Sequence, residues 1–167
     1  MESFDVPGNI TAIGNEAFRS CTRLEQVSIP ASVKSIGSHA FAGDTLVEEL
    51  DLSGVEAIGE NAFSGMAGLK EVALSEDVKK MGAGAFRGCS SLDQIFIDNM
   101  SCEIDGDGNT IPAAVTVRCY AGSTAQEYAG ANGNPIILMV GFEKDGAADY
   151  AGGAYASQVV ELLAGDG

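Results

Sequence analysis

The stretch from Ile13 to Cys21 reads IGNEAFRSC, and nearly the same nine residues return as IGSHAFAGD from Ile36, IGENAFSGM from Ile58 and MGAGAFRGC from Met81. Aligned on Phe18, Phe41, Phe63 and Phe86, the steps are 23, 22 and 23 residues. A unit this short cannot bury its own apolar face, but stacked copies bury each other's. Each turn must therefore present the same residue types at the same places, and the period predicts a solenoid.

The register extends beyond the phrase. Six positions after each Phe stand Leu24, Val47, Leu69 and Leu92. Nine after stand Val27, Leu50, Val72 and Ile95, and eleven after stand Ile29, Leu52, Leu74 and Ile97. The last two columns are spaced by two, as one face of a strand requires. The Phe and the residue six beyond it are assigned to a helical turn across the coil, so each coil reads as one short strand plus one short helical turn. The glycine after each Ile (Gly14, Gly37, Gly59, Gly82) is expected to supply a tight or positive-φ corner, and the Ala before each Phe to let coils approach.

Phe4, Val6 and Pro7 precede Val27, Ile29 and Pro30 by 23 residues, so the chain is expected to begin partway through a coil, with further repeats upstream. Ile104 continues the column of Ile13, Ile36, Ile58 and Met81 before the pattern fades. This gives repeat coils over residues 3–104. A closing unit follows over 105–140, with strands at 115–119 and from Pro135, and between them a short helix with a capping box at Ser123 and Gln126 and an Asn132-Gly133 stop. Residues 141–167, rich in Gly, Ala and Asp, read as a linker or the start of an unassigned segment.

The pattern IGxxAFxxCxxLxxVxIP, nearly complete over 13–30, has a period within the range of leucine-rich repeats and resembles the repeat of the BspA-like leucine-rich repeat surface protein family; VTVRCYAGSTAQEYAGANG resembles the segment that closes such repeats. The resemblance covers roughly residues 3–140. It implies an α/β repeat, a right-handed leucine-rich-repeat solenoid with coils of 22–23 residues. It also implies a secreted or surface-anchored bacterial protein that serves in adhesion or protein binding, and it carries over no catalytic residue. A passive spacer in a multidomain extracellular protein is the alternative.

Charge narrows the partners. Against 24 acidic residues stand 9 basic ones, a formal charge of -15, which opposes binding to nucleic acid and anionic lipid. The longest apolar run, Ile136 to Val140, is far short of the ~20 residues that span a bilayer. A protein partner, a host or microbial surface protein, is expected; the acidic face serves either solubility or a basic surface on that partner.

Chemistry is sparse. The only histidine, His39, shares its slot with Glu16, Asn61 and Gly84, which reads as a solvent position and not a general base. No catalytic motif is present, so neither an enzyme nor a cofactor is expected. Cys21 and Cys89 lie three coils apart, about 14 Å at a spacing of ~4.8 Å, too far for a disulfide. They read as half-buried packing thiols. Cys102 and Cys119 are either bridged or two free thiols. Asp105, Asp107 and Asn109 imitate a calcium loop, but Thr110 stands where glycine is needed, so a polar turn and no metal site is expected. The outward strand positions form columns: Ser3, Gln26, Glu49, Glu71, Gln94, beside Asp5, Ser28, Asp51, Ala73, Phe96. Glu49, Asp51, Glu71 and the aromatic Phe96 are the candidate partner-contact face.

Overall fold

The computed structural model describes residues 2–106, 108–139 and a two-residue strand at 159–160. Long strands line one side of the coil: β1 (Glu2–Asp5), β3 (Leu24–Ser28), β5 (Glu49–Asp51), β7 (Glu71–Leu74), β9 (Gln94–Ile97) and β11 (Thr116–Tyr120). Two-residue strands line another: β2 (Ala12–Ile13), β4 (Ser35–Ile36), β6 (Ala57–Ile58), β8 (Lys80–Met81) and β10 (Glu103–Ile104), which pair in parallel as one five-stranded sheet. The result is a parallel β-solenoid of about six coils.

The long strands alternate as their sequence requires. In β7 and β9 every second residue is buried, and Val72, Leu74, Ile95 and Ile97 are at most 3% exposed. β1 has the same pattern but is exposed throughout, because no described coil lies over it. Its pairing Phe4↔Val27 and Asp5↔Ser28 bears out the 23-residue offset.

The expected helical turn per coil is instead a run of tight turns; α1 (Thr124–Asn132) is the one helix among the described residues. Turn bonds such as Ala17 N–H to Gly14 O and Arg19 N–H to Glu16 O alternate with bonds that leave the coil. The N–H groups of Phe18, Phe41, Phe63 and Phe86 donate to the carbonyls of Ala40, Ala62, Ala85 and Thr110 at 2.7, 2.8, 2.9 and 2.9 Å. A helix would keep those donors within its own turn. Here they join neighbours, and the rings stack in file: Phe18 on Phe41 at 4.9 Å, Phe41 on Phe63 at 5.8 Å, Phe63 on Phe86 at 5.2 Å.

Positive φ falls elsewhere than at the motif glycines. Glu16, His39, Asn61 and Gly84, two residues further on, have φ of 58°, 56°, 51° and 67°. The backbone must reverse there between successive turns, and only glycine does so without side-chain strain. Gly37, Gly59 and Gly82 are needed for proximity: a Cβ on them would lie 2.6 to 2.7 Å from backbone of the preceding coil. Gly14 has nothing within 4 Å.

The closing helix begins as read. Ser123 Oγ accepts from Gln126 N–H at 3.2 Å, Gln126 Oε1 accepts from Gly122 N–H at 2.7 Å, and Gly133 ends the helix at φ 75°. β12 (Ile136–Met139) then pairs in parallel with β11, and β13 (Val159–Val160) pairs antiparallel with β12. Of the segment read as a linker, residues 141–158 and 161–167 lie outside the described residues.

Candidate functional site: the long-strand face

The face is built by register. Glu49 pairs with Glu71 and Glu71 with Gln94, while Asp51, Ala73, Phe96 and Arg118 follow one another across β5, β7, β9 and β11. Because alternate residues of these strands are buried, the others stand together on the opposite side. Glu49, Asp51 and Glu71 are exposed; Phe96 is half-buried, edge-on to Tyr120 with ring centroids 6.4 Å apart. The structure thus places all four candidate residues on one face. Two adjoining hollows lie over it, sharing Glu49.

The sheet does not run unbroken. β1 and β3 form a two-stranded ladder, and β5 begins a second sheet with β7, β9, β11, β12 and β13. Carboxylates crowd the division, with Glu25 on one side and Glu48, Glu49 and Asp51 on the other, and like charges on adjacent strands weaken a ladder. Glu48 pairs instead with Lys70 of the next coil. On β7, Glu71 Oε1 accepts from Gln94 Nε2 at 2.9 Å. Lys70 and Lys79 are both held above the usual lysine range, first by hydrogen bonds to Glu48 and Glu56.

A third coil shortened by one residue accompanies this division. Between Leu52 and Val55 lie two residues, where three separate Ile29 from Val33 and Leu74 from Val78. Gly54 fills the shortened turn, and a Cβ there would lie 2.3 Å from Ala31 O.

Other candidates settle differently. His39 is half-buried and left-handed, not a freely solvated position. Cys21 is exposed and Cys89 buried, so only the second packs inside; Cys102 and Cys119 are free and fully buried. Burial pushes the thiol of Cys89 up to about 12 and that of Cys102 up to about 11. Thr110, also buried, donates to Asp105 O at 2.8 Å and accepts from Gly84 N–H at 3.2 Å, which docks Thr110 on the fourth coil. Asp107 lies outside the described residues. Among those described, no group of three or more His, Cys, Asp or Glu could hold a metal. No described helix is long and apolar enough to cross a membrane.

Sequence reasoning missed Asp44, which shares a slot with Cys21, Met66 and Cys89. It is fully buried, accepts from Cys21 N–H at 2.7 Å, and leaves Oδ2 without a partner. Burial pushes its carboxyl up to about 6, with the Cys21 hydrogen bond opposing. It also missed Arg118, Ile137 and Met139, which prolong the face beyond the four phrases; the alternation of VTVRC and IILM was the available signal.

A stack of short parallel strands with inward aliphatic columns, each coil closed by turns around a phenylalanine file, defines a solenoid of the leucine-rich-repeat class. The chain belongs to the family of the BspA type leucine rich repeat region, which matches residues 1–107 in six copies. It is similar to the crystal structure of the pneumococcal vaccine antigen PcpA, with a TM-score of 0.66 and 25% identity over 83% of this chain and 36% of that one. It also shares its fold with a leucine rich cell surface protein from Faecalibacterium prausnitzii A2-165, with a TM-score of 0.50 and 20% identity over 68% of this chain and 34% of that one. The chain thus spans about a third of each of these proteins. No curated protein matches it.

Proposed function

We propose that this solenoid is a non-enzymatic protein-binding module of a bacterial cell-surface or secreted protein, serving adhesion through its long-strand face. The observation that carries the reading is the register itself, which brings Glu49, Asp51 and Glu71 together as exposed carboxylates on a rigid sheet, with Phe96 one coil beyond. A rigid array presents many side chains at little ordering cost. Its partner is a basic protein surface carrying an apolar spot. The resemblance to surface proteins supports the location outside the cell.

The test is a pull-down from candidate host or microbial surface proteins, followed by binding kinetics at two salt concentrations. Replacing Glu49, Asp51 and Glu71 by Gln or Asn slows association, and Phe96→Ala speeds dissociation. Unchanged rates in both variants would move the function to another side of the solenoid and leave this face a spacer.

A further inference from the structure

The long-strand face is bipolar. Acid gathers on β5 and β7, whereas at the far end Arg118 stands among Phe96, Tyr120, Ile137 and Met139. The pairings Phe96↔Arg118 and Arg118↔Ile137 put Arg118 between β9 and β12, and Tyr120↔Met139 brings the last two together. Their neighbours Val117, Cys119, Ile136 and Leu138 pack on the core, so strand alternation turns Arg118, Ile137 and Met139 to the opposite side, while Tyr120, only 3% exposed, backs Phe96 from within.

Arg118 differs from four of the other cations among the described residues. Arg19, Arg23, Lys70 and Lys79 are each ion-paired with a glutamate. Arg118 is half-buried, its Nε is sealed in without an acceptor, and one terminal nitrogen donates at 3.7 Å to the sulfur of Met139, a weak acceptor. In a chain with 24 acidic and 9 basic residues, no described carboxylate pairs with it.

We propose that this end of the face is a carboxylate-recognition subsite, in which the Arg118 guanidinium takes a partner protein's carboxylate while Phe96 and Met139 take the apolar side chain beside it. A guanidinium flanked by aromatic and aliphatic groups is weakly hydrated, and its planar fork matches a carboxylate in two parallel hydrogen bonds. The apolar surroundings strengthen that pairing relative to open water. The two ends together fix direction: the partner lies across the coils with its basic part over Glu49 and Glu71 and its carboxylate over Arg118, since the reverse orientation sets like charges against each other. This deepens the binding reading above and rests on it for its biological meaning, but the subsite is testable alone.

The test is an NMR titration of the whole labelled chain with N-acetylphenylalanine and, separately, with its neutral amide, following the Arg118 Nε–H resonance and the backbone amides of β9 and β11. The acid produces saturable shifts at Phe96 and Arg118, and the amide binds at least roughly tenfold more weakly because the charge-assisted pair is lost. Arg118→Met removes the preference for acid over amide, and Arg118→Lys, which keeps the charge without the fork, restores part of it. The acid's own shifts at Arg118 report on the subsite, whereas the association kinetics of the Glu49, Asp51 and Glu71 variants report on the acidic end, so failure of one reading is distinguishable from failure of the other. Equal binding of acid and amide, acid binding unchanged by Arg118→Met, or no saturable shift at these residues each overturns the proposal.

Discussion

The Asn61 side chain occupies the space over Gly84: a Cβ built on Gly84 would lie 2.4 Å from Asn61 Oδ1. Both residues are left-handed, at the same corner of successive coils, so the larger residue of one coil covers the smaller of the next. Gly84→Ala is expected to lose stability by about 1–3 kcal/mol through strain and contact together. His39→Gly, which relieves the same corner, is expected to be neutral or stabilising by up to about 1 kcal/mol. Denaturant midpoints of the two variants check the signs, and a stabilising Gly84→Ala would contradict the assignment.

The motif glycines give a sharper contrast within one sequence position. Gly59→Ala places a methyl 2.6 Å from Ser38 N and forces coils apart, whereas Gly14→Ala meets nothing within 4 Å. The expectation is a loss of roughly 2 kcal/mol or more for the first and under about 0.5 for the second. Equal losses would mean that these glycines serve backbone conformation after all.

Phe63 is fully buried between Phe41 and Phe86, while Phe18 is only partly covered. Phe63→Ala is expected to cost about 3–5 kcal/mol by leaving a cavity, and Phe18→Ala less, because water already reaches that end of the file. Near-equal midpoints for Phe63→Ala and the parent would sink the register on which the fold rests.

Asp44 makes stability depend on pH in a definite direction. Its folded pKa of about 6 exceeds the ordinary carboxylate value of about 4, so the folded state binds the proton more tightly. Its stabilising contribution is complete below about pH 4 and is lost as pH rises through about 6. Asp44→Asn keeps an acceptor for Cys21 N–H and carries no charge. Relative to the parent, it should therefore gain on the order of 1–3 kcal/mol between pH 4 and pH 7.5. A constant difference across that range would show that Asp44 ionises freely in the fold.

Much of this architecture is legible because packing repeats it. The phenylalanine file, the aliphatic columns and the Ser123 cap each answer to one local demand, and a period of 22–23 residues multiplies the signal. The left-handed corner is not legible: Glu16, His39, Asn61 and Gly84 share a backbone conformation and no side-chain chemistry, so their column looks like solvent. The tight turns also escape, since a buried Phe with a leucine six residues on fits a helical turn as well as a chain of turns bonded to the next coil. Exposure of Cys21 depends on its place at the end of the stack, which its repeat slot cannot encode. Of the face, Glu49, Asp51, Glu71 and Phe96 follow from alternation within the phrases. Arg118 lies past the last phrase, where only the strand pattern carries the register onward.

The central claim is that the long-strand face is a directed binding surface and not part of a charge spread for solubility. The most direct measurement is an NMR titration of the labelled chain with a lysine-rich peptide carrying one leucine, at low and at physiological salt. The account predicts saturable shifts concentrated at Glu49, Asp51, Glu71 and Phe96, weakening as salt rises because exposed charges are screened over about 8 Å at physiological ionic strength. Shifts distributed evenly over the acidic residues of every side, with Glu60, Glu103 and Asp105 responding as strongly as Glu49 and Glu71, would contradict it.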